Sequence, residues 1–186
     1  MRSIKRTAAV VFGFAVSMTS VNPLASANAV YTPNIGIWYS TWYANQGHYF
    51  WSDGFGANSA NRFLADVDGD GLDDAVAFQA EGTWRVAKSD GSKFGPDSVW
   101  VAGHGVGSTK QFVADVTGDG KADSVIYYQG DGSWYISPST GNGFGAYFQL
   151  KTGFGTAADD AFVADVNGDG KADAIGCRPF QIDNHE

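Results

Sequence analysis

Three short acidic stretches of this chain have the side chains and the spacing of a metal-binding loop. They read ADVDGDGLDD, ADVTGDGKAD and ADVNGDGKAD, and their opening aspartates are Asp66, Asp115 and Asp165. Counted from these residues, every stretch has aspartate at positions 1, 5 and 9. Carboxylates that lie this close repel one another unless a cation lies among them. The pattern therefore indicates a repeated cation site.

Calcium is the cation that the pattern fits best. It takes about six to eight oxygen ligands, and oxygens at positions 1, 3, 5, 7 and 9 of a tightly wound loop converge on one point. Position 7 would contribute only its backbone carbonyl, which explains why lysine is tolerated there. We predict about three calcium ions, one per loop. The predicted ligands are Asp66, Asp68, Asp70, Leu72, Asp74, Asp115, Thr117, Asp119, Lys121, Asp123, Asp165, Asn167, Asp169, Lys171 and Asp173.

The loops have two other interpretations. An EF-hand begins in the same way but needs glutamate at position 12 and flanking helices. Here position 12 holds Ala77, Ile126 and Gly176, and the neighbouring segments FVADV and SVIYY are strand-like. Three Asp-Gly turns that bind no ion are the remaining alternative.

The loops are part of a longer internal repeat. Trp51, Trp100 and Leu150 each stand fifteen residues before an opening aspartate, and a glycine-rich segment follows each of them. A Gly-x-Trp turn, ending at Trp84 and Trp134, comes after the first two loops. The predicted organisation is a signal peptide (1–29), the end of a first blade (30–50), two whole repeats (51–99 and 100–149) and an incomplete third repeat with an atypical tail (150–186).

The composition and the repeat length predict the fold. The chain has 25 glycines and 15% aromatic residues, as expected for short strands joined by tight turns. The second repeat contains four strand-like runs, QFVADV, SVIYYQ, SWYIS and AYFQL. Four strands in about fifty residues is the size of one propeller blade. We predict an all-β, partial β-propeller with about three blades of four antiparallel strands.

The N-terminus has the features of a secretory signal peptide. A basic segment with Arg2, Lys5 and Arg6 precedes an apolar run over residues 7–18, and Ala27-Asn28-Ala29 resembles a cleavage site. An uncleaved membrane anchor is the alternative. No later segment is apolar enough to cross a membrane, so we predict a secreted, extracellular protein.

Charge and missing motifs exclude several function classes. The net charge is −8, and it becomes more negative once the basic signal segment is removed, so nucleic acid and anionic membranes are poor partners. The single cysteine, Cys177, cannot form an intrachain disulfide. No nucleophile–base motif is present, and the paired carboxylates lie inside the loops, where calcium would keep them ionised. We therefore predict that the chain is not an enzyme.

The Asp-x-[Asp/Asn/Thr]-x-Asp-Gly-x-x-Asp loop, recurring about every fifty residues, resembles the FG-GAP or VCBS repeats of secreted proteins. Phe55-Gly56 and Phe154-Gly155 lie upstream of two loops as in that family, whereas the middle repeat has His104-Gly105. The resemblance covers residues 36–176. It implies propeller blades of the integrin α-subunit type, with one calcium ion between the first two strands of each blade.

Two function classes follow from this resemblance. The first is an extracellular, lectin-like binding module for carbohydrate or protein, with Trp42 and Tyr43 as candidate ligand-binding residues because they do not recur in the repeat. Trp84 and Trp134 do recur, which favours packing between blades. The second class is a non-catalytic accessory part or fragment of a polysaccharide-active enzyme. Because three blades are too few for a closed propeller, we expect either a truncated product of a longer propeller or self-association that closes the ring.

Overall fold

The computed structural model describes residues 27–32, 37–42, 48–156, 158 and 160–178, with backbone alone for 27–32, 41, 42, 48 and 49. Within these ranges the chain forms strands and no helix, so they contain no helix that could span a membrane. The strands are β1 (Ala27–Thr32), β2 (Ile37–Trp42), β3 (His48–Ser52), β4 (Asn61–Ala65), β5 (Asp74–Phe78), β6 (Trp84–Ala87), β7 (Ser98–Val101), β8 (Lys110–Ala114), β9 (Asp123–Tyr128), β10 (Ser133–Ser137), β11 (Phe148–Lys151), β12 (Asp160–Ala164) and β13 (Asp173–Cys177).

These strands form four antiparallel sheets. The first sheet contains β1 to β3, the second β4 to β7, the third β8 to β11 and the fourth β12 and β13, with strands paired in chain order. The four strand-like runs of the second repeat correspond to β8, β9, β10 and β11. The all-β prediction and the prediction of four-stranded antiparallel blades are therefore confirmed. Within the described ranges the sheets do not close into a ring.

The sheets are offset from the sequence repeats by one strand. Trp51 and Trp100, at which the two whole repeats begin, lie in β3 and β7, the last strands of the first and second sheets. Each sequence repeat thus starts in the fourth strand of the preceding blade. Strand β1 spans the predicted cleavage site at Ala27-Asn28-Ala29, and most of the predicted signal peptide lies outside the described residues.

Equivalent strands can be assigned in all four sheets. Trp38, Trp84 and Trp134 lie in β2, β6 and β10, and in each case the register with the following strand shifts directly after the tryptophan. Strands β2, β6 and β10 are therefore equivalent third strands. The first sheet accordingly holds strands two to four of a blade, and the fourth sheet holds strands one and two.

The hydrophobic core lies between successive sheets. All five residues of β5 are buried, whereas all four of β11 are exposed, because inner strands are covered on both faces and outer strands are not. Trp84 is fully buried and contacts the ring of Phe144, in the connection between β10 and β11, edge-on at 5.9 Å between centroids. Trp134 is also fully buried. Both recurring tryptophans thus occupy the core, as their repetition predicted.

A recurring hydrogen bond ties the tryptophans to the Phe-Gly position. The indole Nε1 atoms donate to backbone carbonyls in the loop before the next sheet: Trp38 to Phe55 at 3.1 Å, Trp84 to His104 at 2.9 Å and Trp134 to Phe154 at 3.1 Å. The histidine of the middle repeat therefore takes the backbone position of phenylalanine. Each bond joins one blade to the segment that leads into the next.

The glycine of the Gly-x-Trp turn is required by space as well as by conformation. Gly82 has a φ of +86°, and a Cβ there would lie 2.7 Å from Val106 Cγ2 and 3.0 Å from the carbonyl carbon of Gly103. A residue with a side chain would be strained in this backbone conformation and would also collide with the next loop.

Candidate metal centre

The three acidic loops connect the first and second strands of their sheets. We name them the first loop (66–74), the second loop (115–123) and the third loop (165–173). The position 1 aspartate organises each loop by accepting a glycine N–H bond on each of its carboxylate oxygens, and Asp115 Oδ1 also accepts the N–H of Asp119 at 3.3 Å. These bonds run from Gly69 (2.7 Å) and Gly71 (2.8 Å) to Asp66, from Gly118 (2.6 Å) and Gly120 (2.9 Å) to Asp115, and from Gly168 (2.6 Å) and Gly170 (3.0 Å) to Asp165.

The position 9 aspartates of the first two loops are fully buried. Asp74 accepts the N–H of Ser89 at 2.7 Å and that of Val67 at 3.2 Å. Burial raises the pKa of Asp74 to about 7. The Ser89 hydrogen bond lowers this pKa, whereas the nearby charge of Asp68 raises it further. Burial likewise raises the pKa of Asp123 to about 6. A carboxylate buried at this cost fits a site that a cation completes.

The first loop has the most compact set of acidic ligands. Oxygens of Asp66, Asp68 and Asp74 lie within 4.8 Å of one another. Ligands on opposite sides of one calcium ion are separated by about 4.6 to 5.2 Å, since each Ca–O distance is about 2.3 to 2.6 Å. The three side chains therefore fit a single ion of this size.

The second and third loops gather fewer charged ligands. Their position 3 residues, Thr117 and Asn167, offer a neutral oxygen. Among the described residues, only the first loop brings three acidic groups within this distance. The same backbone arrangement thus carries four acidic candidate ligands in the first loop and three in each of the other two.

The position 5 carboxylates lie at the solvent-exposed end of the loops. Asp70, Asp119 and Asp169 are all exposed. The Lys121 ammonium lies 2.6 Å from Asp119 Oδ2, and its backbone N–H donates to Asp119 Oδ1 at 3.0 Å. In the second loop, therefore, a lysine supplies the positive charge nearest to the position 5 carboxylate.

A lysine from outside the loop contacts the first site. Lys88 Nζ lies 3.1 Å from Asp68 Oδ2 and donates to the carbonyl of Gly141, in the connection between β10 and β11, at 2.7 Å. Lys88 thereby connects the first loop to the neighbouring blade. The repeat pattern does not indicate this contact, because the equivalent residue in the next repeat is Pro138.

The loops are linked into a row across the blades. The N–H of Ala122 in the second loop donates to the carbonyl of Asp66 in the first at 2.8 Å, and that of Ala172 in the third donates to Asp115 in the second at 2.7 Å. Each bond joins the backbone of a position 1 residue to the following loop.

The structure also shows an aromatic surface that the sequence interpretation missed. Tyr135 contacts Tyr128 and Tyr147 edge-on, at centroid distances of 6.0 and 6.4 Å. Tyr147 is 55% exposed and the other two are partly exposed. The equivalent residues of the preceding blade are Gln79, Arg85 and Asp97. We call Tyr128, Tyr135 and Tyr147 the tyrosine cluster. These tyrosines do not recur in the repeat, and the same criterion identified Trp42 and Tyr43 in the sequence.

The predicted ligand-binding residues lie at the limit of the described structure. The backbone of Trp42 ends β2, its side chain is not described, and Tyr43 lies outside the described residues. Their predicted role therefore stays a prediction.

The comparisons with known proteins agree with the fold. The family model for the FG-GAP-like repeat matches residues 66–126 and 115–175. A search of curated proteins found no match. The structure of a Tc holotoxin pore from Photorhabdus luminescens is similar to this chain with a TM-score of 0.53 and 20% identity, over 96% of this chain and 8% of that one. Since the family matches cover more than half of its 186 residues, the chain belongs to the FG-GAP-like repeat family.

Proposed function

We propose that this chain is a secreted binding module whose three acidic loops hold structural calcium ions. The observation that carries the proposal is the convergence of Asp66, Asp68 and Asp74 in a loop whose backbone arrangement recurs in three sheets. An ion there would neutralise the carboxylate of Asp74, whose pKa burial raises. It would join the first two strands of each blade, because the ligands come from the connection between them.

The contribution of calcium to stability can be estimated from mass action. Extracellular calcium modules bind with dissociation constants of about 0.1 to 1 mM. Calcium near 1 mM would then stabilise each site by about 0.4 to 1.4 kcal/mol, and three sites by about 1 to 4 kcal/mol. Against a typical stability of about 5 to 15 kcal/mol, the ions would strengthen the fold without being its sole support.

Calcium titration by calorimetry, together with melting curves in chelator, tests this proposal. We expect uptake of about three ions, a melting temperature lowered by several degrees in chelator, and poor rescue by magnesium, which demands stricter geometry. Asp119→Ala should remove about one third of the calcium response. Asp90→Ala is the matched control, because Asp90 lies in an Asp-Gly turn outside the loops and accepts the N–H bonds of Ser92 and Lys93.

Two results would contradict the calcium assignment. The first is calorimetry that shows no calcium uptake. The second is a melting curve that the chelator leaves unchanged. The loops would then be Asp-Gly turns stabilised by their own backbone hydrogen bonds and by lysines.

The proposed ligand of the module is a carbohydrate or an extracellular protein. The tyrosine cluster supports this, because tyrosine presents an apolar ring and a polar hydroxyl together and is enriched in binding surfaces. Trp84 and Trp134 are buried and are not available to a ligand. Trp42 and Tyr43 remain the other candidates.

A glycan array with calcium present tests the carbohydrate assignment. We expect weak binding that Tyr147→Ala or Trp42→Ala reduces, while Phe148→Ala, which removes a 49% exposed ring outside the cluster, leaves it unchanged. Binding that survives both substitutions would place the ligand elsewhere. Release of reducing ends from polysaccharides would overturn the proposal that the chain has no catalytic role.

A further inference from the structure

The first loop differs from the other two in charge at two positions. Position 3 is Asp68 in the first loop, whereas the other loops have the neutral residues Thr117 and Asn167 there. Position 7 is Leu72 in the first loop, whereas both other loops have lysine. The first loop thus has an additional candidate carboxylate ligand and no lysine of its own.

A lysine from outside the loop supplies the positive charge instead. The Lys88 ammonium lies 3.1 Å from Asp68 Oδ2, 2.7 Å from the carbonyl oxygen of Gly141 and 3.1 Å from Asn142 Oδ1. Because an ammonium has three N–H donors, these oxygens offer one acceptor for each. The Lys88 side chain is 39% exposed and that of Asp68 only 15%, so the contact is partly shielded from water.

Other contacts position Lys88 and the turn that accepts its hydrogen bonds. The Lys88 ammonium lies 5.7 Å from the ring centroid of Trp100, a distance at which an aromatic ring attracts a cation. The hydroxyl of Ser139, two residues before Gly141, donates to the carbonyl of Val67 in the first loop. The turn is therefore linked to the first loop by Ser139 as well as by Lys88.

The lysine and a calcium ion would compete for the same oxygen. Asp68 Oδ1 accepts the N–H of Asp70 at 3.1 Å, whereas Oδ2 contacts the Lys88 ammonium. An ion bound to Oδ2 would lie about 2.3 to 2.6 Å from it. The Lys88 nitrogen, if it stayed in place, would then be less than about 6 Å from the ion, and like charges at this distance repel each other.

We propose that Lys88 is a tethered cation that sets the calcium affinity of the first loop, and that calcium uptake there displaces its ammonium from Asp68. This inference rests on the proposed calcium function. Without calcium, Lys88 neutralises part of the acidic charge of the loop. With calcium bound, Asp68 becomes a ligand and the ammonium moves away. The position equivalent to Lys88 in the next repeat is Pro138, so the same competitor does not recur at the second loop.

Chemical labelling of lysines measures the displacement directly. Acetylation with an N-hydroxysuccinimide ester, followed by peptide mass spectrometry, reports how readily each amine reacts. We expect Lys88 to react several-fold faster in calcium than in chelator. Lys93, which is exposed and lies outside the loops, should react equally in both. Magnesium at the same concentration should change the Lys88 rate much less, because it demands stricter geometry.

Calcium titration of a one-site variant measures the effect on affinity. Asp119→Ala with Asp169→Ala removes a ligand from the second and third loops and leaves the first loop intact. In this one-site variant, Lys88→Met should tighten calcium binding about two- to fivefold, the size of a partly exposed charge interaction. Methionine keeps an unbranched side chain and removes the charge. Lys88→Arg, which keeps the charge, and Lys93→Met should not tighten binding.

Melting curves separate this role from a purely structural one. Because Lys88 offsets the charge of the first loop when calcium is absent, Lys88→Met should lower the melting temperature more in chelator than in calcium. The rise in melting temperature on adding calcium should therefore be larger than in the parent protein. Lys93→Met should leave that rise unchanged. A lysine that only bridges two blades would cost the same stability in both conditions.

The results distinguish failure of this inference from failure of the calcium assignment. No calcium uptake by the parent protein would overturn both. Calcium uptake that leaves Lys88 labelling unchanged would overturn the inference alone. A one-site variant whose calcium affinity stays the same or weakens with Lys88→Met would do so too.

Discussion

Replacing His104 by phenylalanine should stabilise this protein, and more so in acid. His104 is 1% exposed, and neither ring nitrogen has a hydrogen-bond partner. It stands where the other repeats have Phe55 and Phe154. Leaving a buried polar group unsatisfied costs about 1 to 3 kcal/mol. We therefore expect His104→Phe to raise the free energy of unfolding by about 1 to 3 kcal/mol at pH 7.

The acid dependence follows from the pKa of His104. Burial lowers it to about 4, and a peptide group of Ser124 opposes the shift without forming a hydrogen bond with the ring. In the unfolded chain the imidazole titrates near 6.5. Below that pH the unfolded state binds a proton that the folded state does not, so stability is lost as the pH falls from about 6.5 to 4. The loss approaches about 3 kcal/mol.

Denaturant unfolding of both proteins at pH 7.5, 6, 5 and 4.5 measures the effect. The stability difference between His104→Phe and the parent should grow steadily towards acid. Phe55→His is the reciprocal variant, because Phe55 is 6% exposed, and it should lose stability and become more acid-sensitive. A difference that stays constant with pH, or a destabilised His104→Phe, would refute the reasoning.

Four further substitutions test other contacts. Lys121→Met removes the ammonium beside Asp119 and should tighten calcium binding at the second loop a few-fold in calorimetry. Gly82→Ala should destabilise by well over about 1 kcal/mol, whereas Gly103→Ala, with positive φ but no atom within 4 Å of the added Cβ, should cost only the backbone strain. Trp134→Phe loses a buried indole hydrogen bond and should cost about 1 to 3 kcal/mol in denaturant unfolding.

The sequence by itself determined the repeat, the strands and the placement of the loops. The four runs of the second repeat became β8 to β11, and each acidic loop connects the first two strands of its sheet. The recurrence of Trp84 and Trp134 predicted their burial. These features depend on local spacing and on repetition, both of which can be counted along the chain.

The tertiary structure decided how charge and exposure differ between equivalent positions. His104 is buried because its backbone takes the place of phenylalanine, and Phe162 is exposed because no further blade covers it among the described residues. Lys88, directly after β6, lies beside Asp68 and also donates to the carbonyl of Gly141, which is 53 residues after Lys88 in the chain. The repeat makes such positions look equivalent. Which neighbour covers each of them depends on packing between blades, which brings together residues that lie far apart in the chain.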